Sequence, residues 1–205
     1  MKNRNKGLWD EDRNNRRQFL KLAGFGALGL ITGGAWPLLN HSAASQNPET
    51  IPGAEFNPDL DISLTARPGE VSIFPGDPTR VWQYQALVHK GDKTRVVEIP
   101  SSYLGPIIKM HQGEKIRIRF NNSIQEESIV HWHGLHVPAI MDGHPRYVVP
   151  QGQHYLYEFE VKNRAGTYWY HPHPHGRTGP QVYKGLAGLF LVSDEEEQSL
   201  GLPDG

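Results

Sequence analysis

The sequence predicts an all-β domain, a Greek-key β-sandwich or barrel, preceded by an N-terminal signal segment. Three observations predict it. Apolar and polar residues alternate over short runs, turn residues punctuate those runs, and no long stretch after the leader carries a convincing helical period.

Taken in order, residues 1–44 read as an address rather than as structure. Asn15-Arg16-Arg17-Gln18-Phe19-Leu20-Lys21 is a twin-arginine pattern, followed by a weakly apolar run from Leu22 to Leu39. Gly24, Gly26, Gly29, Gly33, Gly34 and Pro37 break that run. It falls short of the ~20 strongly apolar residues that a membrane span needs. Ser42-Ala43-Ala44 supplies small residues suited to cleavage. The expectation is a twin-arginine export signal and a mature domain in the periplasm or outside the cell, with a retained membrane anchor as the alternative. Residues 45–60, polar and proline-rich, read as a linker or N-terminal arm.

Residues 61–193 carry the strand signals. Ile116, Ile118 and Phe120 alternate with Lys115, Arg117 and Arg119. Tyr155, Tyr157, Phe159 and Val161 alternate with Leu156, Glu158 and Glu160. Strands are also expected over Asp61–Ser72, Val81–Val88, Ser128–His133, Gly166–His171 and Leu186–Val192. Pro75-Gly76-Asp77-Pro78, Lys90-Gly91-Asp92, Gln112-Gly113-Glu114 and Pro150-Gln151-Gly152 are turn signals between them. In residues 194–205, Ser193-Asp194-Glu195-Glu196 resembles a capping box that opens a short helix, and Leu202-Pro203-Asp204-Gly205 reads as the start of an inter-domain linker.

Composition narrows the chemistry. A formal net charge of -1 over 205 residues gives no electrostatic reason to expect nucleic acid. There is no cysteine, which excludes disulfides, thiolate metal sites and a cysteine nucleophile. Histidine, by contrast, is both abundant, at 11 residues, and clustered.

Two clusters stand out: His131-Trp132-His133-Gly134-Leu135-His136 and Tyr170-His171-Pro172-His173-Pro174-His175-Gly176. In an extended chain, residues two apart share a face, so His131 and His133 reach toward one point, as do His171 and His173. Trp132 and Pro172 point the other way. Two such strands side by side converge four imidazoles, a donor set that suits copper, zinc, iron or nickel and is poor for magnesium or calcium. Packed imidazoliums repel one another, so the cluster makes sense when metal replaces protons. His136 has the opposite parity. His175 lies on the parity of His171 and His173 but in a turn leaving the strand, and reads as a neighbour of the site or a bystander. His41, His89, His111, His144 and His154 are isolated and read as solvated or hydrogen-bonded.

His131-Trp132-His133-Gly134-Leu135-His136-Val137-Pro138 and Gly166-Thr167-Tyr168-Trp169-Tyr170-His171-Pro172-His173 resemble the two N-terminal copper-binding segments of multicopper oxidases. Gly185-Leu186-Ala187-Gly188-Leu189 matches as well, and Tyr103-Leu104-Gly105-Pro106 and Gly113-Glu114 more weakly. The resemblance runs from about Asp61 to Val192 and is nearest to bacterial cuprous oxidases, laccases and bilirubin oxidases. It implies a cupredoxin fold. It implies that His131 serves a type 2 copper, that His133, His171 and His173 serve a type 3 pair, and that Asp142 relays protons to dioxygen as it is reduced. The bland reading of Asp142, in Met141-Asp142-Gly143, is a turn aspartate.

The family pattern also requires four more histidines and a type 1 copper held in part by cysteine, none of which this chain carries. The expectation is therefore the first cupredoxin domain of a longer or truncated oxidase, holding half of the ligands and inactive by itself. Its expected partners are C-terminal cupredoxin domains or another chain, together with a small-molecule or metal-ion reductant. The alternatives are a stand-alone periplasmic copper-binding or buffering module and, more weakly, a zinc hydrolase.

Overall fold

The computed structural model describes residues 56–202. The expected export signal, residues 1–44, and most of the expected arm lie outside the described residues. Among the described residues, nine strands form two sheets: β1 Leu60–Val71, β2 Thr79–Lys90, β3 Val96–Val97, β4 Ile107–His111, β5 Lys115–Asn122, β6 Val130–His133, β7 His154–Glu160, β8 Gly166–Pro172 and β9 Gly188–Ser193. One sheet runs β2-β1-β5-β7 and the other β3-β4-β9-β8-β6. Two short helices lie near the C-terminal end, α1 Thr178–Tyr183 and α2 Glu195–Ser199. Among the described residues, no helix is long and apolar enough to cross a membrane.

The alternating runs set the sandwich. Ile116, Ile118 and Phe120 of β5 are buried, as are Tyr155, Tyr157 and Phe159 of β7, and the two strands pair antiparallel with Ile118 opposite Tyr157. Their intervening residues face outward, where opposite charges meet across strands. Arg117 bonds Glu158 at 2.6 Å and lies 3.4 Å from Asp61, and Asp61 also receives Arg119. Cross-strand pairs of this kind hold register, because a slip by one residue would turn the isoleucines to solvent.

Most pairings are antiparallel, but β1 pairs with β5 and β4 with β9 in parallel. Strands that cross between the sheets return beside earlier ones in the same direction, a feature that alternation within a strand does not report. The expected strands all form, with ends shifted by two residues at most. Ser128, expected in a strand, instead makes an isolated bridge to Val149. Two strands were not expected, β3 and β4; β3 is only two residues long. Helix α2 starts as its capping pattern suggested, but the cap is Asp194, whose carboxylate accepts from the Glu197 N–H at 2.8 Å.

Trp132 sits at the centre of the core. It is fully buried, with Tyr157, Phe159, Tyr170 and Phe190 around it at ring separations of 5.1, 5.8, 5.7 and 6.2 Å. Large aromatic side chains dominate the energy of such a core. Trp132→Ala is expected to destabilise the domain by ~3–5 kcal/mol, read as a lower midpoint in urea unfolding. A loss below ~1 kcal/mol would show that Trp132 is not the centre of the packing.

Candidate metal centre

The same Trp132 fixes where the histidines go. β6 and β8 pair antiparallel, with Trp132 opposite Tyr170 on the core face. On the other face His131 stands opposite His171, and His133 opposite Trp169. The two-residue period of the strands therefore delivers three imidazoles and one indole to one patch. Ring centroids are 5.3 Å apart for His131 and His171, 5.6 Å for His131 and His133, and 5.4 Å for His133 and His171.

One donor atom from each of His131, His133 and His171 lies within 4.8 Å of the other two. His133 Nδ1 and His171 Nε2 face each other at 3.2 Å. His173 follows β8, and its ring lies 5.3 Å from that of His131 and 6.1 Å from that of His171. It stands beside the tight triple rather than within it, so the four imidazoles surround a space wider than one ion. Its Nδ1 is buried and has no hydrogen-bond partner among the described residues. A buried, unsatisfied ring nitrogen is unfavourable, and a bound metal ion would relieve it in one of the few available ways.

Backbone carbonyls orient the rings. His131 Nδ1 lies 2.6 Å from the carbonyl oxygen of Asp142, and His171 Nδ1 lies 2.9 Å from that of Pro172. A carbonyl only accepts, so each Nδ1 carries the proton and donates it. Each Nε2 is left unprotonated, as a metal ligand requires, that of His171 meeting His133 Nδ1 in the metal-free chain. The Asp142 carboxylate stands 3.2 Å from the same His131 nitrogen. Asp142 reaches His131 because the turn behind it packs onto the outer edge of β6. Gly143 has φ +73°, and a Cβ there would collide with the Val130 carbonyl oxygen.

The opposite side of β6 is pinned from the core. The Tyr157 hydroxyl accepts from the Val130 N–H at 3.0 Å and donates to the Val130 carbonyl at 2.9 Å. Burial pushes the pKa of Tyr157 well above its ordinary value, so the hydroxyl keeps the proton that it donates. Burial also pulls His171 down to about 4, and the imidazoles of His131, His133 and His173 act in the same direction. A neutral His171 at physiological pH is the form that binds metal.

The structure thus brings together His131, His133 and His171, places His173 and Asp142 at their margin, and leaves His136 and His175 exposed outside the group. The isolated histidines are hydrogen-bonded or exposed. His89 meets Ser63 at 2.7 Å, and His144 accepts from the Arg146 N–H at 3.1 Å. His41 lies outside the described residues.

Two residues at the site were not singled out by sequence. Trp169 stacks 4.2 Å from His171 and 5.1 Å from His133, walling one side of the patch. Its parity with His171 was the available signal. Asn163 accepts from the His136 N–H at 2.7 Å and donates to the Gly134 carbonyl at 2.8 Å, which fixes the chain leaving His133. Nothing local in the sequence marked it. The donor set is all imidazole, without thiolate, and it fits copper or zinc.

A two-sheet sandwich with an imidazole cluster on its edge strand β6 and the neighbouring β8 is a cupredoxin-type domain. A family model for multicopper oxidases matches residues 81–197, and the chain belongs to that family. It is 38% identical over 111 residues to "Multicopper oxidase mco" of Staphylococcus aureus, covering 54% of this chain and 25% of that protein. It is 29% identical over 191 residues to "Cell division protein FtsP" of Escherichia coli, covering 93% of this chain and 37% of that one. Among solved structures it resembles the McoA multicopper oxidase of Aquifex aeolicus, with a TM-score of 0.59 and 38% identity over 71% of this chain and 29% of that one. A laccase of Pediococcus acidilactici gives a TM-score of 0.58 at 31% identity, over 76% of this chain and 34% of that one. The chain spans only 25% and 37% of the length of the two relatives matched by sequence.

The depressed His171 has a consequence for the metal-free chain. The unfolded residue takes up a proton near its ordinary 6.5, whereas the folded residue refuses it until about 4. The unfolded state binds more protons in that window, so stability is full above pH 6.5 and is lost progressively as pH falls toward 4. Urea unfolding in chelator across this range is expected to show the loss, and His171→Gln to flatten part of it. The same slope in both proteins would show that His171 does not carry the effect.

Proposed function

We propose that this chain is the copper-binding N-terminal domain of a multicopper oxidase, an enzyme that couples one-electron oxidation of a reductant to the four-electron reduction of dioxygen to water. The observation that carries this reading is the pairing of His131 with His171, with His133 and His173 on the flanks of that pair. Four imidazoles whose donors do not all converge on one point suit more than one copper ion. By the family pattern His131 would serve a type 2 copper, and His133, His171 and His173 a type 3 pair. Copper bound there supplies one-electron redox chemistry and a place for dioxygen to bind.

The chain's own residues have separate tasks. His131 and His171 present Nε2 because carbonyl oxygens hold their Nδ1–H groups. Trp169 shields the rings of His133 and His171 from water on one side. The partly exposed Asp142 carboxylate, against His131, is placed to pass protons between solvent and the centre. The remaining histidines and the cysteine-containing site that accepts electrons from the reductant would come from further cupredoxin domains or from another chain, since these 205 residues hold no cysteine. The twin-arginine pattern supports export of the folded domain. The organic or metal-ion reductant is left open, because it would be recognised near that second site.

Copper(II) titration of the full chain is expected to show tight binding that weakens by more than about tenfold in His131→Ala and in His173→Ala, at least the scale on which loss of a ligand's supporting partner is felt. Unchanged affinity in both variants would overturn the assignment, and preferential loading with zinc from a copper–zinc mixture would favour a hydrolytic site instead. In a protein that carries the complete centre, Asp142→Asn is expected to slow dioxygen consumption by roughly a hundredfold, within the range for general acid–base groups, with copper content retained. Wild-type turnover in that variant would remove Asp142 from proton delivery.

A further inference from the structure

The backbone pairing that builds the centre ends close to the histidines. β6 is an edge strand, bonded within its sheet only to β8. Val130 stands opposite Pro172, but their backbone groups turn away from the ladder here, those of Val130 to the Tyr157 hydroxyl, and Pro174 follows just past His173. Between the two prolines a single backbone bond continues the ladder, from the His173 N–H to the Ile129 carbonyl at 2.9 Å. A slip there would carry His173 away from His131 and His171.

Beyond that bond, a buried side-chain brace takes over. Gln181 lies on α1, in the chain that leaves His173, and it is fully buried. An amide in that position must be satisfied. Its oxygen accepts from the Ser128 hydroxyl at 2.9 Å, and its nitrogen donates to the Glu127 carbonyl at 2.9 Å and to the Glu126 carboxylate at 3.2 Å. All three partners lie in the segment that leads into β6 and His131. The Glu126 carboxylate is itself held by Arg177, which bonds it through two nitrogens, and by Lys184 at 3.4 Å. Arg177 beside it holds the Glu126 carboxyl down to about 2, so the carboxylate stays charged. The brace therefore ties the chain after the second histidine pair to the chain before the first, just past the last backbone bond of the ladder.

We propose that Gln181 is a positioning residue for the histidine centre: its buried amide, with Ser128 and the Glu126–Arg177 pair, sets the spacing of His173 from His131 and His171. It touches none of the imidazoles and acts through the two backbone segments that it joins. The proposal rests on the reading of the four imidazoles as copper ligands, and its test separates the two.

Gln181→Met keeps the volume of the side chain and removes all three hydrogen bonds. The full chain and this variant are compared by far-UV circular dichroism, by copper(II) titration, by the electron paramagnetic resonance of the copper complex, and by the imidazole 15N resonances of the metal-free proteins. The expected result is a folded variant with at least tenfold weaker copper(II) binding and altered copper hyperfine splitting. In the metal-free variant, the 15N shifts of His131, His171 and His173 move and the His173 amide exchanges faster. A folded variant with wild-type affinity, hyperfine pattern and 15N shifts would overturn the proposal. If the wild-type chain itself takes up no copper(II), the copper reading fails, and the positioning role is decided by the metal-free 15N shifts alone. If Gln181→Met does not fold, Ser128→Ala removes one bond of the three and is held to the same readouts in smaller degree, with unchanged values overturning the proposal.

Discussion

The antiparallel pairing of β6 with β8 is the constraint on which the rest depends. Its register sets Trp132 against Tyr170 and His131 against His171 in one step. Because a strand turns successive side chains to opposite faces, the core and the metal patch are two sides of the same ladder. The core side is apolar and aromatic, and the packing around Trp132 strongly disfavours any other register. The interactions that fix the histidines thus lie on the far side of the sheet from them. The site needs little stability of its own.

That separation matters because the patch is intrinsically unfavourable. Imidazoles crowd at ring separations of 5.3–5.6 Å, burial holds His171 below its ordinary range, and His173 buries a nitrogen without a partner among the described residues. Carbonyl oxygens from Asp142 and Pro172, the Tyr157 hydroxyl on Val130 and the Gln181 brace all oppose relaxation of the strands. They come from different parts of the chain, so the centre is preorganised by the whole sandwich rather than by one loop.

The position of the site at the edge of a sheet fits a centre shared between domains. β6 ends its sheet, His133 is exposed, and Trp169 lies partly open beside it. Relatives such as the Aquifex aeolicus enzyme are much longer than the part this chain covers, since the match takes in 29% of that structure. The further ligands of the proposed centre would arrive across this open side.

Much of this was legible in the sequence because it depends on a period of two. Alternation gave β5 and β7 and their buried faces, and the His-x-His spacing gave the facing of both histidine pairs, with Trp132 turned inward. The capping residues gave α2. What stayed hidden depends on contacts between residues far apart in the chain. β3 and β4 are too short to show a period. The parallel pairings of β1 with β5 and β4 with β9 arise from crossings between sheets. Trp169 was one residue among several aromatics until His171 stacked on it, and Gln181 and Asn163 were ordinary polar residues until burial left them partners only in distant segments. The sequence by itself determined which side chains share a face, because that follows from local backbone geometry. Only the tertiary structure decided which faces meet, because β-sheet register and the satisfaction of buried polar groups are settled between strands, across the whole fold.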